Sequence, residues 1–118
     1  MRFLSMIRVN ENTGQVPSER LMNEMGKLIE EMTRAGVLIR TAGLRPSAEG
    51  ARMRLRNGKV SSVDGPFTET KEVIGGFFIL EAPSQAAAVE HTRRFVELHR
   101  QVLGDDFVLE CEVREIER

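Results

Sequence analysis

Residues 63–82 read VDGPFTETKEVIGGFFILEA, and the second half of this stretch decides the fold. Large apolar side chains occupy both alternating faces of the run: Val73, Phe77 and Ile79 on one face, and Ile74, Phe78 and Leu80 on the other. This pattern predicts a core strand over 71–82 that is apolar on both faces. Two adjacent glycines inside a strand predict a bulge or the close approach of a helix or a ligand.

The four residues that begin the segment before this strand, Asp64 to Phe67, predict a tight turn. A short carboxylate can accept hydrogen bonds from nearby amides, and proline fixes its own φ angle. The phenylalanine is then available to fill the core. Two interpretations stay open: a turn leading into a bulged strand, or a cleft at the edge of a dimer lined by Asp64, Glu69 and Lys71.

The clearest local signal upstream is a hairpin over residues 51–63. Asn57-Gly58 stands between two alternating runs, which predicts a two-residue type I′ turn because both central positions need a positive φ. In this register Leu55 faces Val60 across the hairpin. Arg52, Arg54 and Arg56 alternate on one strand face, a pattern typical of a solvated sheet surface.

Two segments have helical periodicity. The first begins at Pro17-Ser18, with Ser18 as its N-cap, and ends at Gly36. Its apolar stripe consists of Leu21, Met22, Met25, Leu28, Ile29 and Met32. The second spans 83–104, with Ser84 as N-cap and Gly104 as terminator.

Further strands are predicted at 2–9, 37–44 and 106–117. The resulting order is β-α-β-hairpin-β-α-β, which fits one α+β domain over residues 1–118. Its architecture is a ferredoxin-like split β-α-β sandwich with an inserted β-hairpin and both helices on one face of the sheet.

Two helices cover only one face of such a sheet, yet the strand at 71–82 is apolar on both. Monomeric proteins seldom expose a continuous apolar patch of that size. We therefore expect a homodimer that packs sheet on sheet about a two-fold axis, with the hairpin over the interface or its rim.

Composition excludes several classes of function. The net charge is −1 and the pI about 6.2, so no nucleic-acid partner is expected. No stretch approaches the roughly 20 apolar residues of a membrane span, so no membrane partner is expected either, and the cytoplasm is the expected location. The single cysteine, Cys111, rules out an internal disulfide and is expected to be a buried, inert thiol.

Candidate catalytic and binding residues are few. Asp64 and His99 are the candidate acid–base pair, although a histidine on an apolar helix face is more often a core residue. The candidate ligand-binding residues are Arg40, Phe67, Glu69 and Lys71. We expect no metal, because His91 and His99 are two helical turns apart without other ligands, and no cofactor, because phosphate-binding and dinucleotide-binding glycine motifs are absent.

The stretch DGPFTETKEVIGGFFILEA, the opening strand RFLSMIRV, the segment at 35–60 and the RFVELH helix together resemble the DGPF group of the YCII-related family. The resemblance implies a ferredoxin-like domain that forms dimers of the dimeric α/β-barrel type. It implies little about activity, since most DGPF proteins have none established and some are only encoded near extracytoplasmic-function sigma factors. A few relatives are lyases or dehalogenases that act on lactone-like or chlorinated aromatic compounds.

In those relatives a histidine near the start of the first helix accompanies an aspartate near the central strand. The corresponding helix start here, PSERLMNEMG, contains no histidine. Three functions therefore remain open. They are a homodimer that binds a small-molecule ligand, a small lyase or isomerase that uses Asp64 or His99 with Arg40 or Lys71 holding an anionic substrate, and an accessory partner of a transcription factor.

Overall fold

A computed structural model describes residues 1–11, 18–67 and 72–118. The elements in chain order are β1 (Arg2–Val9), α1 (Glu19–Arg34), β2 (Leu38–Gly43), β3 (Ala51–Arg56), β4 (Lys59–Asp64), β5 (Val73–Glu81), α2 (Gln85–Leu103) and β6 (Glu110–Glu115). A short 3₁₀ turn, Ser47–Glu49, lies between β2 and β3.

Four of the strands form an antiparallel sheet in the order β2-β5-β1-β6. Both helices supply side chains to one apolar cluster with β1, β2 and β5, so both lie on the same face of this sheet. The architecture is α+β and compatible with the ferredoxin-like fold that the order of elements predicts.

The core lies between the helices and the sheet. Phe3 and Leu80 are paired across β1 and β5 and are 0% and 1% exposed. Phe78 meets Phe95 of α2 edge to face, with ring centroids 4.4 Å apart. Burial of each such side chain contributes about 1.5–3 kcal/mol, so this layer supplies most of the driving force for folding.

The helix ends agree with the sequence prediction. The Ser18 hydroxyl accepts a hydrogen bond from the Leu21 amide, and the Ser84 hydroxyl accepts one from the Ala87 amide, each at 3.1 Å. Gly36 has a φ of 76°, the left-handed conformation that ends many helices. Met22 is an exception to the predicted stripe, because it lies on the solvent side of α1 and is 57% exposed.

Strand β5 contains a bulge at Gly75. Ile7 pairs with Gly76 and Arg8 pairs with Ile74, so Gly75 is the extra residue. The bulge resets the alternation, and the predicted faces of Val73 and Ile74 are therefore wrong: Ile74 lies with Arg8, and Val73 pairs with Val9 on the helix side. A Cβ atom at Gly75 would lie 2.7 Å from the side chain of Val9. The group that approaches this glycine closely is therefore a side chain of the neighbouring strand β1.

Two other segments also differ from the predicted pattern. A second bulge, between Leu38 and Arg40, places these two residues on opposite faces of β2. Strand β6 begins at Glu110 instead of 106, because the chain turns after Gly104 and Phe107 stacks against the ring of His99, 6.0 Å between centroids. Burial of Phe107 against α2 therefore takes precedence over sheet pairing.

Among the described strands, β3 and β4 pair only with each other, and we call this hairpin (51–64) the arm. Its turn has φ angles of 51° at Asn57 and 74° at Gly58, and Leu55 pairs with Val60, as the sequence predicts. Met53, Leu55 and Val60 are 67%, 73% and 70% exposed. These three apolar side chains therefore lie outside the core that the described residues form.

The protomer is broad and flat. Its Cα extents are 45 × 38 × 20 Å, and its radius of gyration, 15.9 Å, exceeds the roughly 13.5 Å of a compact chain of this length. A thickness of 20 Å accommodates one helix layer on one sheet, with packed layers about 10 Å apart. The sheet surface opposite the helices, which we call the open face, is therefore not covered by the arm.

Candidate functional site

The turn at Asp64–Phe67 forms the base of the arm. The Gly65 amide donates a hydrogen bond to the Gly50 carbonyl at 2.9 Å, which closes the hairpin against the 3₁₀ turn. A Cβ atom at Gly65 would lie 1.7 Å from the Ser47 carbonyl oxygen, so only glycine fits there. The peptide bond between Gly65 and Pro66 is cis.

A carboxylate that follows the end of β1 binds the 3₁₀ turn. Both oxygens of Glu11 accept hydrogen bonds from Ser47, one from its amide at 2.7 Å and one from its hydroxyl at 2.6 Å. Sequence reasoning missed this contact, because the two residues are 36 positions apart and neither belongs to a recognisable motif. Glu11 thus links the sheet to the base of the arm.

Phe67 is not part of the apolar core, contrary to the expectation that it fills the core. Its ring lies beside Gly50 and carries the Arg52 guanidinium on one face, 3.9 Å from the ring centroid. A cation over an aromatic face at a partly exposed site contributes about 0.5–1 kcal/mol. This contact between Phe67 and Arg52 holds β3 against the turn that follows β4. A ligand could approach only the part of the Phe67 ring that Arg52 does not cover.

Asp64 and Arg40 are exposed, and neither side chain makes a hydrogen bond or ion pair with another described residue. Asp64 pairs with Ala51 at the base of the arm. Arg40 pairs with Ile79, on the open face. Both charged groups are therefore available to an external partner.

His99 is a core residue of α2. It is 8% exposed, its Nδ1 lies 2.9 Å from the Phe95 carbonyl oxygen, and its ring packs between Phe95 and Phe107. Burial lowers the pKa of this imidazole, and the hydrogen bond to the Phe95 carbonyl opposes the shift only in part. His99 lies beneath the helix layer and Asp64 on the arm, so the protomer does not bring the candidate acid–base pair together.

Cys111 lies on the helix side of β6, paired with Ile7. Burial raises the pKa of its thiol to about 11, although a hydrogen bond with Ser5 acts in the opposite direction. A neighbouring hydroxyl, Thr92 Oγ1, is 3.4 Å from Ser5 Oγ. A thiol with so high a pKa is un-ionised near neutral pH and is a poor nucleophile.

Glu69 and Lys71 lie outside the described residues. Two shallow surface depressions lie along the exposed side of α1, one of them lined by Glu19, Arg20, Asn23, Glu24 and Lys27, and neither is lined by a candidate residue. Within 1–11, 18–67 and 72–118, no three His, Cys, Asp or Glu side chains are grouped as a metal site would need. Neither α1 nor α2 is apolar enough over a sufficient length to span a bilayer.

These features define an α+β protein, compatible with the ferredoxin-like fold, that presents Arg40 on its open sheet face and Asp64 at the base of its arm. Residues 1–98 match the family model of the YCII-related domain, and the chain belongs to this family. An uncharacterised protein of Rhizobium meliloti (strain 1021) is 33% identical over 75 residues, which are 64% of this chain and 60% of that protein. The matched region thus spans less than two thirds of the relative.

Proposed function

We propose that the protein is a homodimer of the dimeric α/β-barrel type that binds a small organic anion in a cleft at the edge of the dimer. The observation that carries this proposal is the open face. Half-buried apolar side chains form its centre, and the exposed Arg40 lies at its β2 edge without a partner among the described residues. The central side chains are Leu4, Met6, Phe77 and Ile79.

The hydrophobic effect supports the dimer. Each of the four central side chains is only partly shielded by its neighbours, so a second sheet placed over them removes further apolar surface from water. Because a two-fold axis repeats every contact, the apolar area removed from water is twice that contributed by one protomer. The charged groups at the β6 edge, including the Arg8–Glu112 pair at 3.3 Å, lie at the rim, where solvent can still reach them.

The charged groups support the ligand class. An arginine guanidinium binds a carboxylate through two parallel hydrogen bonds, and Arg40 has no internal carboxylate to occupy it. Asp64, Phe67, Glu69 and Lys71 belong to or follow the arm base and are proposed to line the same cleft. The burial of His99 argues for binding without chemistry at that residue, since a ligand on the open face meets the opposite side of the sheet.

Light scattering at micromolar concentration tests the dimer. We expect twice the protomer mass for the wild type, and the protomer mass for Phe77→Glu, which places a charge in the centre of the open face. Met22→Glu, a charge at an exposed position of α1, is the matched control and should remain dimeric. A monomeric wild type would refute the proposal.

The ligand class is tested by thermal unfolding in the presence of benzoate and of short aliphatic carboxylates. A bound anion should raise the midpoint of unfolding of the wild type in a concentration-dependent way. Arg40→Ala should abolish the shift, whereas Arg20→Ala on α1 should retain it. Equal shifts in both variants would show that Arg40 does not hold the anion.

A further inference from the structure

One face of the arm carries three large apolar side chains that are exposed in the protomer. Cross-strand pairing places Met53, Leu55 and Val60 on the same face, and each is at least 67% exposed. A two-stranded hairpin is marginally stable in water unless its apolar face packs on another layer. The arm therefore has a surface suited to a contact outside its own chain.

The tip of the arm carries a second unusual feature. Arg56 and Lys59 are directly opposite each other on either side of the turn. Like charges in this arrangement are destabilising, and no carboxylate of the described chain pairs with either of them. An anionic group from elsewhere would remove this repulsion.

The charges of the chain indicate where such anions lie. The arm holds four cations and one carboxylate, a net charge of +3, whereas residues 105–118 hold six carboxylates and two arginines, a net charge of −4. Strand β6 is at one edge of the sheet, and the arm connects the strands β2 and β5 at the other side. Three strand spacings, about 14 Å, separate β6 from β2, so the arm is more readily placed on a second copy's β6 than on its own.

We propose that the arm of each protomer lies on a second copy of the chain. Met53, Leu55 and Val60 pack on the rim of the partner's open face. Arg56 and Lys59 lie on the other face of the arm beside its turn, and their long side chains extend around the tip to Glu110 of the partner subunit. Two arms packed tip to tip would bring two Arg56–Lys59 pairs together, and this like-charge repulsion argues against that arrangement. The inference rests on the proposed homodimer and specifies what the arm does in it.

The arrangement also assigns a position to Asp64. Asp64 pairs with Ala51, two residues before Met53 on β3. Its side chain therefore lies on the same face of the arm as Met53 and Leu55. With the arm on the partner, the Asp64 carboxylate faces the cleft beneath the arm, which is then closed by residues of both subunits. The ligand cleft is incomplete in a single protomer.

The experiment is sedimentation equilibrium of the full chain and its variants. Leu55→Glu should raise the dimer dissociation constant about 100-fold, because a charge replaces an apolar group in the contact. Met22→Glu, at a position of comparable exposure on α1, should leave the constant unchanged. Circular dichroism should show that both variants fold, because Met22 and Leu55 are exposed in the protomer.

A charge exchange provides the second variant set. The double substitution R56E/K59E should weaken the dimer about 10-fold, and addition of Glu110→Lys in the same chain should restore most of the affinity. A wild-type dimer that is unaffected by Leu55→Glu and by R56E/K59E would overturn the arm contact while leaving the homodimer intact. Tighter association of R56E/K59E would indicate arm-to-arm pairing and also overturn it, and a monomeric wild type would refute both proposals.

Discussion

The two surfaces of the sheet differ in what completes them. On the helix side, α1 and α2 bury Phe3, Phe78 and Leu80 to 5% exposure or less, and every buried polar side-chain atom of the described residues has a hydrogen-bond partner. On the open face and the arm, apolar and charged side chains lie together, and no further layer of the described residues packs over them. The helix side therefore forms a complete core within the protomer, whereas the other side would be completed by the homodimer that we propose.

Adjacent residues of β5 provide the strongest test of this difference. Phe78→Ala removes a ring that contacts Phe95 in the core, and we expect it to lower the free energy of unfolding by about 3–5 kcal/mol. Phe77→Ala removes the same group from the open face. Its cost should grow with protein concentration if the proposed homodimer forms, because the ring would then be buried by the partner's sheet.

Urea denaturation at several protein concentrations measures both effects. For Phe78→Ala, the loss relative to the wild type should be the same at every concentration. If the loss for Phe77→Ala is also independent of concentration, the open face does not take part in association.

The glycines at the arm base and in β2 provide the second test. Gly65→Ala would place a methyl group 1.7 Å from the Ser47 carbonyl oxygen, and backbone cannot move aside as a side chain can. We expect a loss of about 2–3 kcal/mol and faster amide exchange within the arm. Gly43→Ala is the matched control, since a methyl group there meets no atom within 4 Å and should change stability by less than about 0.5 kcal/mol.

Amide exchange resolved by residue distinguishes a local effect from a global one. Faster exchange confined to 51–64 would show that Gly65 secures the arm alone. Equal acceleration in α2 would show instead that the arm and the helix layer unfold together, which would contradict the separation of the two regions.

The sequence predicted those parts of the fold that local interactions determine. Ser18 and Ser84 cap their helices through amides three residues away, and the type I′ turn depends only on Asn57 and Gly58. The positions of the bulges at Gly75 and beside Ile39 could not be predicted from local sequence, because they depend on the neighbouring strand. A single inserted residue also reverses the face assignment of every residue beyond it. The contact between Glu11 and Ser47 depends on tertiary structure alone and leaves no periodic signal.

The candidate site shows the same division. Asp64, Arg40 and Phe67 could be named from the sequence, and the structure places all three at or near the surface. The sequence could not place them relative to a second subunit, because an interface is formed by surfaces and not by neighbours along the chain. His99 was assigned both a catalytic and a core role, and its burial between Phe95 and Phe107 favours the core role.

The smallest expected effect concerns the pH dependence of the helix layer. The pKa of His99 is lowered from its ordinary value of 6.5, with burial as the main cause. Between the folded pKa and 6.5 the unfolded chain binds a proton that the folded chain does not, so stability rises with pH in this range. The contribution of His99 is therefore complete above pH 6.5 and is lost progressively as the pH falls below it.

Denaturant unfolding between pH 7.5 and 5 measures this contribution, in a window set by the unperturbed pKa. His99→Leu should show a shallower decline than the wild type, because the apolar residue cannot be protonated and still fills the space beside Phe107. His91→Gln, at a half-buried position of the same helix, should follow the wild-type curve. If His99→Leu declines as steeply as the wild type, the acid sensitivity does not originate at His99.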